Sequence, residues 1–194
     1  MEIHLVRHGE TEWSANGRHT SITDLDLTER GVAQARALHG RLDLAKMDLV
    51  LSSPRLRARR TADLAGIGED RLEFTEELAE WSYGQYEGLT SDQIRQSDPD
   101  WTIWTGHTPG GETAEQVTNR LQSLIDRLRQ REVEQVLCFA HGHSLRALTL
   151  TWLGLDFAVG EQFPLDTGSV SVLGDHKDQQ SLLSWNVGVA DADR

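Results

Sequence analysis

The apolar positions of this chain repeat in two ways, and the two alternate along its length. Short runs rich in leucine and β-branched residues, EIHLVR at 2–7, MDLVLSS at 47–53 and QVLCFA at 135–140, have the length and character of buried strands. Between them the spacing lengthens to that of a helix. Val32, Ala35, Leu38 and Leu42 share one face of a helix predicted over 28–42, and Val117, Leu121, Leu124 and Leu128 share one face of a second that runs to about Arg131 behind a Thr113/Gln116 capping box. Ser53-Pro54 reads as an N-cap followed by proline at the first helical position, opening a helix to about Ala65. HSLRALTLTWLG reads as a helix closed by Gly154, and GSVSVLG and SLLSWNV as two late strands around the turn-like DHKDQQ. Strands alternating with helices predict an α/β fold, a three-layer α/β/α sandwich on a mostly parallel sheet. The stretch 76–111 is weakly periodic and rich in Trp, Tyr, Gly and Asp, and is expected to be a lid-like excursion over one sheet edge. With no repeat or low-complexity tract, residues 1–194 are expected to form one domain.

The formal charge of −12 argues against nucleic acid and anionic membrane as partners, because both select a basic surface. It leaves an anionic small molecule open. Surface charges are screened beyond about 8 Å at physiological salt, so a cleft that gathers arginines still attracts phosphate. Met1-Glu2 lead straight into an apolar strand with no basic and apolar leader, no apolar run approaches the roughly 20 residues of a membrane span, and Cys138 has no partner cysteine. The expected location is therefore the reducing cytoplasm, with Cys138 a small buried residue.

Two strands end alike, in HLVRHGE and LCFAHGH. Parallel α/β sheets bind ligands beyond the carboxyl ends of their strands, so His8 and His141 are candidates to stand side by side there. SSPRLRARRTA follows another strand and opens a helix, a place where free N–H groups already favour an anion. Arg57 and Arg7 are the candidates to grip phosphate; Arg55, Arg59 and Arg60 read as surface arginines paired with carboxylates. Glu80 and Glu87, set among aromatic residues and glycines, are both candidate proton donors. His141-x-His143 lacks the cysteines or dense carboxylates of a metal site, so neither metal nor cofactor is expected.

LVRHGETEW resembles the signature of the histidine phosphatase superfamily, the group that holds cofactor-dependent phosphoglycerate mutases, fructose-2,6-bisphosphatases and acid phosphatases. The likeness continues through Asp26-x-Thr28-x-x-Gly31, Ser53-Pro54-x-x-Arg57-Ala58-x-x-Thr61, Leu78-x-Glu80-x-x-x-Gly84-x-x-Glu87-Gly88 and His141-Gly142, in that order. The resemblance implies a phosphoglycerate mutase-like fold, His8 as the nucleophile that becomes phosphohistidine, Arg7, Arg57 and His141 as phosphoryl ligands, and Glu80 as general acid. The implied partner is a small phosphorylated substrate, and no metal is required.

Against the mutases, Ser14 stands where they usually have asparagine, Thr20-Ser21 where they have Thr-Gly, and His143 where they have the asparagine of HGN. The stretch between Gly88 and Pro109 is also short for an insertion that keeps water out. RLRAR, EWSYGQYEG and AHGHSLRA are similar to a branch with acid phosphatases and sugar bisphosphatases. The expected activity is thus phosphomonoester hydrolysis, possible on a sugar phosphate, with a phosphoglycerate mutase and a phospho-ligand-binding scaffold as the alternatives. On this reading Trp81, Tyr83, Trp101, Trp104 and His107 line or roof the substrate mouth. Thr20, Ser21, Gly110, Gly111 and Gly142 add polar and backbone contacts, and Trp152 and Trp185 pack in the core.

Overall fold

The computed structural model describes residues 1–188. Its strands are β1 (Glu2–Arg7), β2 (Leu49–Ser52), β3 (Leu72–Phe74), β4 (Gln135–Ala140), β5 (Val170–His176) and β6 (Gln179–Val187). Its α-helices are α1 (Glu12–Ala15), α2 (Glu29–Ala37), α3 (Leu56–Leu64), α4 (Ser91–Arg95), α5 (Ala114–Gln130) and α6 (Gly142–Leu153). The strands form one sheet in the order β3-β2-β4-β1-β5-β6. β3, β2, β4 and β1 are mutually parallel; β5 runs antiparallel to β1, and β6 antiparallel to β5.

The two-residue period of the central strands builds both cores. Val136, Cys138 and Ala140 of β4 pack with Leu121 and Leu124 of α5 and Leu145 and Leu148 of α6. Leu137 and Phe139 face the other way, onto Leu38 and Leu42 beyond α2 and Ala62 of α3. Helices on both faces make the three layers. Cys138 is buried, and burial pushes its thiol up to about 12, out of reach of nucleophilic chemistry. No helix among the described residues is long and apolar enough to cross a membrane.

Three local expectations are corrected and one strand is added. The 28–42 helix stops at Ala37, because Gly40 enters the left-handed region at φ 79° and lets Leu42 tuck under the turn. Ser53-Pro54 does not open α3; its N-cap residue is Arg55, and the carboxylate that accepts from Leu56 N comes from Asp24, at 2.7 Å. β3 is a three-residue edge strand, too short to leave a period in the sequence. Lys177 and Asp178, both at positive φ, make a two-residue hairpin turn, so the rest of DHKDQQ extends β5 and β6.

The 76–111 stretch leaves the edge strand β3, and it is no loose flap. Leu78, Trp81, Tyr83, Ile94, Trp101 and Trp104 are all buried and join the core beneath α5 and α6. Its polar backbone is tied down as well: Gln85 N donates to Pro109 O and Glu112 N to Ser82 O. Trp152 is buried as read, while Trp185 is half-buried and donates to Pro164 O.

One contact decides where β1 can exit. A Cβ on Gly9 would lie 2.4 Å from Gly31 O, and one on Gly31 would lie 2.1 Å from Glu10 O, so the start of α2 presses backbone to backbone on the residues after β1. Neither glycine is there for a positive φ. Gly31→Ala is therefore expected to lower unfolding free energy by about 1–3 kcal/mol, with no change in m-value, in urea titration. A loss within about 0.5 kcal/mol, the range of ordinary surface substitutions, would show that the two backbones part freely.

Candidate active site

β1 and β4 are adjacent and in register, Arg7 opposite Ala140, so the residues that follow emerge together. His8 N donates to Ala140 O, and the His8 and His141 ring centroids are 5.3 Å apart at 62°. The His8 ring is oriented by its own neighbour: Nδ1 lies 2.7 Å from Gly9 O. A carbonyl only accepts, so Nδ1 carries the hydrogen and the Nε2 lone pair is left free. Burial first, then Arg57 and Arg7, hold the His8 pKa well below its ordinary value, so the ring is neutral at physiological pH.

Arg7 is anchored through Nη1 to Leu165 O, while its buried Nε has no hydrogen-bond partner. Its guanidinium lies against Gly142, where a Cβ would come within 3.3 Å of Cζ and Nε. A buried donor left unmade is costly, and here it lines a cavity.

Arg57 and His141 form the layer behind. Arg57 Nε donates to His141 Nδ1 at 3.1 Å, so the neutral His141 ring carries its hydrogen on Nε2 and donates it to Ser53 Oγ at 2.7 Å. Burial, then Arg57, holds His141 well below its ordinary pKa. Arg57 Nη1 and Nη2 donate to the carbonyls of Thr23, Thr20 and Ser21, so this arginine also pins the loop it stands against. Ser53, engaged by His141, is thereby part of this layer rather than the dedicated cap of α3.

Glu80 and Glu87 separate in the structure. Glu80 lines the cavity and accepts from Trp81 N (2.9 Å), Ser144 N (2.7 Å) and His143 N (3.1 Å), so it caps α6 from outside that helix. Glu87 lies away from the cavity wall and accepts from Ser21 N and Thr23 N and from Ser21 Oγ. Burial alone would raise its pKa, but these hydrogen bonds prevail and hold it below the ordinary carboxylate value.

The cavity measures about 240 Å³ and continues into a recess of about 360 Å³; His19, Ser91, His143 and Arg146 line both. Of the expected mouth residues, Thr20, Tyr83 and Gly142 line the first cavity and Trp104 the recess. Ser21 is buried against Glu87, and Trp81 is buried with its indole N–H on Glu112 O, so neither faces ligand. Trp101 is buried and donates to His107 O; His107 is exposed away from the cavity, and Gly110 and Gly111 pack at Gly84. The aromatic residues of 76–111 bury their own segment, and Ser21 is consumed by Glu87.

Residues the sequence reading passed over complete the wall: Arg18, His19, Ser91 and Arg146. Ser14 and His143, also on the wall, had left a trace as departures from the mutase pattern. The two recesses are lined by Arg7, Arg18, Arg95 and Arg146 against Glu80 and Glu161, a positive cleft in an acidic protein. Of the other arginines, Arg55 pairs with Glu76 and Arg60 with Asp63 as expected, whereas Arg59 lies over the Phe74 ring. Among the described residues no group of three or more His, Cys, Asp and Glu side chains is placed to hold a metal ion.

A family model described as histidine phosphatase superfamily (branch 1) matches residues 3–188. The chain is 43% identical over 173 residues to an acid phosphatase of Mycobacterium tuberculosis, covering 88% of this chain and 84% of that one. It is 34% identical over 181 residues to the sedoheptulose 1,7-bisphosphatase of Saccharomyces cerevisiae, covering 78% and 67%. A solved structure of an open reading frame product of M. tuberculosis superposes with a TM-score of 0.90 at 39% identity, over 97% of this chain and 98% of that one.

The neutral histidines link this site to pH. Burial first lowers His19 from 6.5 to about 4, and His8, His141 and His143 are lowered too. Below pH 6.5 the unfolded chain takes up protons that the fold refuses, so stability present above that pH is lost as pH falls towards 4. The urea midpoint is expected to fall over this window, and His19→Asn to make the fall shallower. A flat profile in the parent protein would mean that these rings are charged in the fold.

Proposed function

The chain belongs to the histidine phosphatase superfamily (branch 1), and on that footing we propose that it is a metal-independent phosphomonoesterase working through phosphohistidine on a small phosphorylated metabolite. The observation that carries this reading is the His8 ring, whose Nδ1–H is tied to Gly9 O so that a neutral Nε2 is free, on a cavity that Arg7, with its unpartnered Nε, also lines. A nucleophile that is neutral and fixed in direction needs only an in-line phosphorus.

In the first step the Nε2 lone pair bonds to phosphorus and the ester P–O bond breaks. Glu80, in its carboxylic form, gives its proton to the departing alkoxide. In the second, the Glu80 carboxylate takes a proton from water, the water oxygen bonds to phosphorus, and the N–P bond breaks to release inorganic phosphate and neutral His8. Oε2 of Glu80 accepts a single N–H, which leaves it a lone pair for this traffic. Arg7 meets the phosphoryl oxygens with its unpartnered Nε. Arg57 and His141 join once the dianion arrives, because a phosphate dianion attracts the guanidinium charge as well as its N–H groups, whereas the loop carbonyls that Arg57 contacts are uncharged acceptors. The same positive groups that keep His8 neutral thus stabilise the charge spread over the transferring phosphoryl group.

The first test is steady release of phosphate from p-nitrophenyl phosphate in EDTA, with His8→Ala reducing it to background. Activity that survives in His8→Ala sinks the mechanism. Conversion of 3-phosphoglycerate to 2-phosphoglycerate faster than phosphate appears, with a bisphosphoglycerate primer, would place the chain with the mutases; ligand binding with neither reaction would make it a scaffold. The acid is tested separately. Glu80→Gln is expected to cost about 10²–10⁴-fold in kcat/KM, which reports only the steps up to cleavage of the ester bond, on a sugar-alcohol phosphate and far less on p-nitrophenyl phosphate, whose leaving group needs no proton. Equal losses would remove Glu80 from that role.

A further inference from the structure

Glu80 stands in a span of chain whose two ends are tied to α5 by one side chain. Arg120, at the end of the second turn of that helix, donates from Nη1 to Glu77 O at 2.8 Å. Its Nε and Nη2 donate to the two carboxylate oxygens of Glu112, at 2.8 and 3.0 Å. Glu112 passes the hold on: Oε2 accepts from Ser82 N at 2.9 Å, its N–H donates to Ser82 O, and its carbonyl accepts from the Trp81 indole. The backbone is therefore fixed three residues before Glu80 and two residues after it, through a single guanidinium.

Between those ties the chain has little else to direct it. The carbonyls of Leu78, Ala79, Glu80 and Trp81 accept no hydrogen bond among the described residues. Leu78 and Trp81 seat the span in the core, but apolar contact is non-directional. Arg127, seven residues beyond Arg120 on α5, takes the Glu77 carboxylate and so supports one end only. The Glu80 carboxyl is thus placed by two frames: N–H groups at the start of α6 meet its oxygens, and the Arg120–Glu112 pair holds the backbone from which it springs. Both members of that pair are part-buried, and a guanidinium fork on a carboxylate fixes direction as well as distance.

We infer that Arg120, through Glu112 and the backbone of 77–82, is the positioning residue of the general acid, a role that rests on the proposal that Glu80 protonates the departing oxygen. Arg120 itself does not line the cavity. Its effect is geometric. A proton passes from carboxyl to leaving oxygen only within hydrogen-bond reach, about 2.6–3.2 Å between heavy atoms, and a misplacement of about 1 Å costs up to about 10²-fold. An ester whose leaving group departs without a proton does not feel that misplacement. A tie that served only to hold the fold together would affect every ester alike, so leaving-group dependence separates the two roles.

The experiment measures kcat/KM on the intact protein for glycerol 1-phosphate, whose alkoxide must be protonated, and for p-nitrophenyl phosphate, whose phenolate need not be. Arg120→Met is expected to lower the first by about ten- to hundredfold and the second by less than about threefold. Arg120→Lys keeps the charge but not the fork and recovers part of the loss. In a Glu80→Gln background, Arg120→Met is expected to cost less than about threefold more on glycerol 1-phosphate, because residues that act as one unit are not additive. Glu112→Gln, which keeps an oxygen for Ser82 N but gives up the paired charge, shows the same selectivity at smaller size and carries the test if Arg120→Met does not fold. Equal losses on the two esters, in Arg120→Met or in the Glu112→Gln that replaces it, overturn the positioning role. So does an Arg120→Met loss undiminished by Glu80→Gln. Either result leaves Arg120 as a tie between α5 and the 76–111 stretch, with Glu80 still the acid. Equal losses in Glu80→Gln itself remove the acid, and the positioning role falls with it.

Discussion

The parallel pairing of β1 with β4, in register from Glu2 opposite Gln135 to Arg7 opposite Ala140, is the constraint on which the rest of this molecule hangs. It lies at the middle of the sheet, buried under helices on both sides, and a shift of one residue would turn every apolar side chain to the wrong face. The register that satisfies the two cores is also the one that releases His8 and His141 next to each other. Stability and chemistry are therefore set by the same hydrogen-bond ladder. The neighbouring β2–β4 pairing extends it, because Ser53 N on Phe139 O brings Ser53 within reach of the His141 ring.

The electrostatics of the site follow from depth. Around His8 and His141 the positive charge belongs to arginines, which stay charged when buried, and the histidines yield their protons instead. Cationic arginines beside neutral imidazoles suit the phosphoryl transfer proposed for this site. The acidic exterior is far enough away to be screened, while the groups in the cleft are not. Glu80 bridges the two parts of the machinery, since the carboxyl that faces the cavity also caps α6, the helix that carries His143 and Arg146.

The strands β1, β2 and β4, the helices α5 and α6, and the three-layer arrangement were legible in the sequence because each rests on a period that the chain repeats several times. So were His8, His141, Arg7 and Arg57, since each follows or precedes a strand end. The line of substrate contacts was not. Trp81 and Trp101 looked like mouth residues in a glycine-rich stretch, yet that stretch needed them to bury itself, and Ser21 was taken up by Glu87. His19 and Arg146 carried no signal of their own; one sits in the loop between α1 and α2, the other on a helix whose buried leucines dominate its pattern.

Local chemistry and periodicity alone determined the fold class, the strand ends that carry reactive groups, and Thr113 as a helix cap. The tertiary structure decided everything that depends on which distant segments touch. It separated Glu80 from Glu87 by placing one at the cavity and the other under Ser21 and Thr23, it gave α3 a cap from Asp24, and it set the tautomers of His8 and His141 through a carbonyl next door and an arginine far along the chain. The physical reason is range. A hydrogen bond acts over about 3 Å, and sequence patterns report only neighbours within a turn or a pleat. Whether two groups sixty residues apart, such as Tyr83 and His143, share one proton is settled only by packing.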